Sequence, residues 1–186
     1  FYISYSRDAF LSAPPFLAEE AVYEANAAFG GERVSRALVE RVRKKAAEGC
    51  GSIASSSLVF MFSLDEVRIY PELPSFALPL SEGSSFPLSL SLSYVREDEL
   101  TLSIPIHSLI GPAIIRDARE GDIIELKGGR KRVSELIRDQ KVPYAIVIED
   151  RKGIVCCLTR LFGGRDRLAR RFLGAEGEPV ALALIR

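Results

Sequence analysis

The chain has 186 residues, of which 25 are basic and 25 acidic, so its formal net charge is zero. This length suits one ordinary domain or two small ones, and an apolar content of 47% excludes a disordered tail. Any contact with nucleic acid must therefore come from local clusters of basic residues. No apolar run is long enough to span a membrane and no secretory signal is recognisable. The few cysteines suit a reducing compartment, so we expect a cytoplasmic protein. Because the first residue is Phe1, we also expect a fragment of a longer chain.

The N-terminal part is predicted to be helical. Phe1 to Ala13 has mixed polarity and is expected to be a frayed end. Apolar residues at helical spacing, bounded by prolines or glycines, predict helices over 16–29 and 32–48. The second helix is highly charged, for which a solvated outer face is favoured over a phosphate-binding face. Apolar runs at 58–62 and 67–70 predict a β-hairpin.

A proline- and serine-rich stretch, residues 73–87, is the best candidate for a linker. It would separate a small helical domain with a hairpin, residues 1–72, from a β-rich domain, residues 88–186. After this stretch, apolar residues alternate with serines and threonines. This period of two predicts that Leu88–Tyr94 and Leu100–Ile106 pair as antiparallel strands.

The segment from Ile114 to Pro143 is predicted to organise the second domain. We expect a strand, a tight turn at Gly121-Asp122, a second short strand, and a loop at Gly128-Gly129. A basic cluster and a short helix that stops at Pro143 should follow. Later apolar runs predict three more strands, so the domain is β-rich with one short helix and the whole chain is α+β.

Basic residues bunch beside the glycine loop. Guanidinium groups next to the N–H groups of flexible glycines suit phosphate oxygens, so this segment is the candidate RNA-binding surface. Its members are Arg116, Arg119, Lys127, Gly128, Gly129, Arg130, Lys131, Arg132 and Lys141. A second candidate patch consists of Arg165, Arg167, Arg170 and Arg171. Internal ion pairs are an alternative for Arg116 and Arg119, and an ordinary helical surface is an equal alternative for the second patch.

Cysteine and histidine are scarce. Three cysteines are too few for a disulfide framework, and the adjacent Cys156 and Cys157 are expected to be small buried residues. His107 is the only histidine, so no metal site is expected. A hydrolase built on His107 and a serine is the least favoured function considered.

The order of the central motifs resembles the C-terminal domain of tRNA(Ile)-lysidine synthases. That family has Ile-Arg-x-Arg-x-x-Gly-Asp, then glycine, a Lys/Arg pair, a short Leu-x-x-hydrophobic helix and Lys-Val-Pro. The matching residues are Ile115, Arg116, Arg119, Gly121, Asp122, Gly128, Lys131, Arg132, Leu136, Ile137, Lys141, Val142 and Pro143. The family commonly has another arginine after the proline. This chain has Tyr144 to Val147 there, so any phosphate contact of that arginine is not carried over.

The resemblance implies that the chain binds tRNA(Ile) and positions it for ATP-dependent attachment of lysine to the wobble cytidine. Catalysis would belong to an N-terminal domain with a Ser-Gly-Gly-x-Asp-Ser pyrophosphatase loop. This sequence lacks that loop, so no catalytic residue is assigned. ATP and Mg are expected only in that other domain, and no cofactor is expected here.

The family resemblance also bears on architecture. The two helices and the hairpin are similar to the family's middle, substrate-recognition domain. The implied C-terminal domain is sandwich-like, and a homodimer of the full-length protein is left open. The alternative function is a β-rich protein-interaction module with no nucleic-acid role.

Overall fold

The computed structural model describes residues 1–31, 34–80, 85–86, 90–94, 102–104, 108–174 and 178–184. The chain divides into two compact units, Phe1–Glu72 and Leu73–Arg186. The first unit combines helices with an antiparallel sheet, and the second is rich in β-strands with one short α-helix. The fold is therefore α+β. Within the described residues, no helix has both the length and the apolar character needed to cross a membrane.

The described residues of the first unit form three helices and four strands. In chain order they are β1 (Ile3–Ser6), α1 (Arg7–Ser12), α2 (Pro15–Ala28), α3 (Arg36–Glu48), β2 (Gly51–Ala54), β3 (Leu58–Phe62) and β4 (Glu66–Pro71). The strands pair antiparallel in the order β1–β4–β3–β2. The predicted hairpin is β3–β4, in which Phe60 lies opposite Ile69.

The start of the chain differs from the expectation of a frayed end. Ile3 pairs with Ile69, so β1 is an edge strand of the sheet. The hydroxyl of Ser6 accepts a hydrogen bond from the N–H of Ala9 at 3.4 Å and caps α1, which buries Phe10. Exposed and partly buried residues alternate along β1, as they do on an edge strand with one face toward solvent. This alternation is the mixed polarity seen in the sequence.

Both predicted helices are present, and their apolar faces enter the core of the first unit. α3 begins at Arg36, later than predicted, because the hydroxyl of Ser35 accepts a hydrogen bond from the N–H of Leu38 at 3.3 Å. Val42 of α3 and Val22 of α2 are fully buried in that core. The helical spacing of the apolar residues in the sequence therefore identified the buried faces of α2 and α3.

The second unit contributes the remaining elements. In chain order they are β5 (Ala77–Pro79), β6 (Ser85–Phe86), β7 (Leu90–Tyr94), β8 (Leu102–Ile104), β9 (Ile114–Asp117), β10 (Ile123–Leu126), β11 (Gly129–Arg132), α4 (Val133–Gln140), β12 (Ile146–Asp150), β13 (Gly153–Leu158), β14 (Arg167–Leu168) and β15 (Glu178–Leu184). One sheet has the order β14–β13–β12–β9–β5, and another has the order β6–β7–β15–β8. The strands β10 and β11 form a separate two-stranded ribbon.

The sheet with the order β6–β7–β15–β8 contradicts one predicted strand pairing. Val180 of β15 lies opposite Tyr94 of β7 on one side and opposite Leu102 of β8 on the other. The prediction that the strands within Leu88–Tyr94 and Leu100–Ile106 pair with each other is therefore wrong. Periodicity identifies a half-buried strand, but it does not indicate which other strand it pairs with. Here the partner is β15, which lies near the end of the chain.

The described part of the predicted linker belongs to the second unit. Ala77–Pro79 is a strand that pairs with β9, and Leu78 lies opposite Ile115. Just before it, the N–H of Phe76 donates to a carboxylate oxygen of Asp117 at 2.7 Å. Prolines are tolerated in this short strand because it lies at the edge of its sheet.

Candidate nucleic-acid interface

The ribbon β10–β11 positions the central basic cluster. The predicted glycine loop is a tight turn at Lys127 and Gly128, followed by Gly129 with φ of +116°, a conformation that favours glycine. Arg130, Lys131 and Arg132 lie on β11 rather than in a loop. Successive side chains on a strand point to opposite faces, so the three cations cannot share one surface.

Arg130 and Arg132 share the exposed face of the ribbon. Arg130 lies opposite Glu125, and Arg132 lies opposite Ile123. Both arginines are exposed, and neither forms an ion pair with the residues that the structure describes. This face therefore presents two guanidinium groups to solvent.

Lys131 points to the other face of the ribbon. Its ammonium group donates to the carboxylate of Asp139 on α4 at 2.6 Å. This hydrogen bond lowers the pKa of Asp139. Lys131 therefore joins β11 to α4, while its two neighbours remain available to a ligand.

Arg116 does not lie on a surface, which corrects its place in the candidate RNA-binding set. Its side chain is only 5% exposed, and it donates to both carboxylate oxygens of Asp122 at 2.8 Å and to Glu149. Arg116 lies opposite Val147 on β12, so Glu149 is its diagonal neighbour on the same face. The hydrogen bond to Asp122 raises the pKa of Arg116 further, burial opposes this effect, and Glu149 reinforces it.

Asp122 holds the turn before the ribbon. Burial disfavours its charged form, but hydrogen bonds from Arg116 and from the N–H of Arg119 outweigh burial and lower its pKa. Arg119 itself is exposed; its backbone N–H donates to Asp122, and its positive charge also favours the ionised carboxylate. Arg116, Asp122 and Glu149 thus form a largely buried cluster at the base of the ribbon.

A concave surface of about 340 Å³ lies beside the exposed face of the ribbon, and we call it the cationic groove. Three basic side chains line it: Arg130 from β11, Lys152 from the β12–β13 turn, and Arg171 from the segment after β14. Glu125 is the acidic residue of its lining. The groove therefore brings members of both candidate patches together.

A buried carboxylate fixes the guanidinium of Arg171. Its Nη2 donates to Asp150 at 2.6 Å and to the carbonyl of Gly153 at 3.3 Å. Burial disfavours ionised Asp150, but the hydrogen bonds from Arg171 and from the N–H groups of Ile110 and Lys152 outweigh burial and lower its pKa. Arg171 is thereby oriented before any ligand arrives.

The other candidate cations do not line the groove. Those that are exposed are Arg119, Lys127, Arg132, Lys141, Arg165, Arg167 and Arg170. Lys152, in the turn between β12 and β13, was not among the residues that the sequence predicted for the site. A basic residue at a hairpin turn was the available signal, but nothing in the sequence shows that this turn faces the ribbon.

Other candidate chemistries gain no support from the described residues. They contain no group of three or more His, Cys, Asp or Glu side chains that could hold a metal ion. His107 lies outside the residues that the structure describes. Cys156 and Cys157 are fully buried as expected, and burial raises the pKa of the Cys157 thiol to about 12.

The chain was also compared with known proteins. No protein-family model and no curated protein matches it.

Proposed function

We propose that this chain is the tRNA-binding region of a cytoplasmic tRNA(Ile)-lysidine synthase. It would hold tRNA(Ile) while a separate catalytic domain, which would bind ATP and Mg, attaches lysine to the wobble cytidine. The observation that supports this proposal most is the cationic groove, which Arg130, Lys152 and Arg171 line from three different segments. Convergent cations of this kind suit the phosphate backbone of a folded RNA.

The groove and the family motif support each other. The matching motif residues build the turn and the ribbon that carry Arg130 and Arg132, and Arg116 and Asp122 fix the base of that ribbon. A surface that binds RNA needs cations held in a fixed register, because phosphate contacts set the orientation of the partner. The buried motif cluster would supply this register.

Neutralising the exposed face of the ribbon tests the proposal. The double variant Arg130→Gln/Arg132→Gln should bind tRNA(Ile) about tenfold more weakly, because it removes two charge-assisted hydrogen bonds to phosphate. Lys131→Gln should weaken binding by less than about threefold, since Lys131 already pairs with Asp139. Gel shift or fluorescence anisotropy at fixed salt measures these affinities.

A matched control is Arg41→Gln/Lys44→Gln on α3. It also removes two exposed positive charges that form no ion pair with the described residues, but neither residue lies on the ribbon or lines the groove. An equal weakening of binding in the control and in the ribbon variant would show that only net charge matters and would contradict the proposal. Absence of tRNA binding by the unmodified chain would favour the protein-interaction module.

A further inference from the structure

The groove is too small for a duplex but large enough for one nucleotide. Ligand pockets for small molecules start at about 300 Å³, and this groove measures about 340 Å³. A rigid RNA helix is read across a wide surface through its phosphates and 2′-hydroxyl groups. Flat contact with a duplex would use the rim of the groove and leave its interior without a ligand.

The groove also has an apolar part among its charged and polar side chains. Ile154 and Ala169 are buried beneath it, and Ile123 lines it while remaining 41% exposed. Phosphate oxygens gain nothing from aliphatic surface, whereas a base or a ribose does. The lining therefore suits a ligand with one anionic part and one flat or apolar part.

The three cations of the groove come from different segments of the fold. Arg171 is held through Nη2 by Asp150 and Gly153, so its other guanidinium nitrogens remain for a ligand. Arg130 approaches from the ribbon, and Lys152 from the β12–β13 turn. Together they can surround one phosphate while the attached nucleoside covers Ile123 and Ile154.

We propose that the cationic groove binds a single unpaired nucleotide of the RNA, with its phosphate between Arg130, Lys152 and Arg171 and its nucleoside on the apolar surface. This inference rests on the proposed function, because it takes RNA as the partner. It specifies the form of RNA that the groove recognises, namely a nucleotide released from stacking at an end, a bulge or a loop. Proteins that contact RNA bases, rather than the shape of a duplex, usually bind bases that are unstacked.

The test compares two probes. One is a short blunt RNA duplex, and the other is the same duplex with one unpaired nucleotide at an end. The unmodified chain should bind the second probe about fivefold more tightly, because covering the exposed side chain of Ile123 with a base removes apolar surface from water. Ile123→Ser should abolish this preference for the probe with the unpaired nucleotide. Leu173→Ser is the matched control, because Leu173 is also exposed but does not line the groove.

The outcomes separate this inference from the proposed function. Equal affinity for the two probes, with tRNA still bound through Arg130 and Arg132, overturns the inference alone. If adenosine monophosphate displaces the overhanging probe at concentrations equal to the probe's own dissociation constant, the groove serves a free nucleotide and the inference is overturned. If neither tRNA nor either probe binds, both the inference and the proposed function fail.

Discussion

The position of Arg116 shows how one residue can belong to a motif without touching a ligand. A basic residue in an RNA-binding motif is expected at the surface, but Arg116 is held inside by Asp122 and Glu149. The sequence analysis left internal pairing open as an alternative for this residue. Arg116 reaches Glu149 because β9 and β12 are neighbouring strands, and this pairing is set by the tertiary structure.

Removing Arg116 should destabilise the second unit. Arg116→Met leaves the carboxylates of Asp122 and Glu149 without their cation, and uncompensated charge at a buried site costs about 3 kcal/mol. Arg119→Met, a change at an exposed position of the same segment, should cost less than about 0.5 kcal/mol. Urea unfolding followed by circular dichroism measures both variants. Equal midpoints for the two would show that the buried cluster contributes nothing.

The carboxylates Asp122 and Asp150 should make the protein sensitive to acid. Both have a folded-state pKa below the ordinary value of 3.8, so the unfolded chain binds protons more readily than the folded one. Their stabilisation is complete above the ordinary value and disappears as the pH falls through the folded-state pKa values. Urea midpoints should therefore fall steeply between about pH 5 and about pH 2. Asp150→Asn should be less stable at neutral pH and should be weakened less by acidification; an unchanged acid slope would contradict this assignment.

At the scale of elements, local signals predicted the segment from Ile114 to Pro143 well. The turn at Gly121-Asp122, the strand before the glycines and the helix ending near Pro143 are all present. What could not be predicted was the conformation after Gly129, because two short strands closed by a tight turn resemble a loop in sequence. That difference separates Arg130 and Arg132 from Lys131.

The end of α4 offers a test of backbone strain. Lys141 has φ of 52° and ψ of 48°, a left-handed conformation that side chains other than Asn or Gly disfavour. Lys141→Gly should stabilise the chain by about 0.5 kcal/mol, because relief of strain exceeds the entropy that glycine adds to the unfolded state. Lys141→Ala removes the same charge but keeps the strain, so it should not stabilise. If the glycine variant melts at a temperature no higher than that of the alanine variant, the backbone at Lys141 is not strained.

At the scale of the whole molecule, the sequence indicated an α+β chain with a β-rich second part, and the structure confirms this class. Composition also drew attention to the stretch after residue 72, where the two units divide. The sheet order could not be predicted because β15 pairs with strands far away in sequence. The cationic groove could not be predicted for the same reason, since its three cations lie on segments that only the fold brings together.

If Arg130 and Arg132 contact phosphates of a folded RNA, both should contribute to the salt dependence of tRNA(Ile) binding. Removing one phosphate-binding cation should reduce the slope of log affinity against log salt by about one, so Arg130→Gln/Arg132→Gln should reduce it by about two. The control Arg41→Gln/Lys44→Gln should leave the slope unchanged. A slope that is the same in the ribbon variant and in the unmodified chain would contradict the claim.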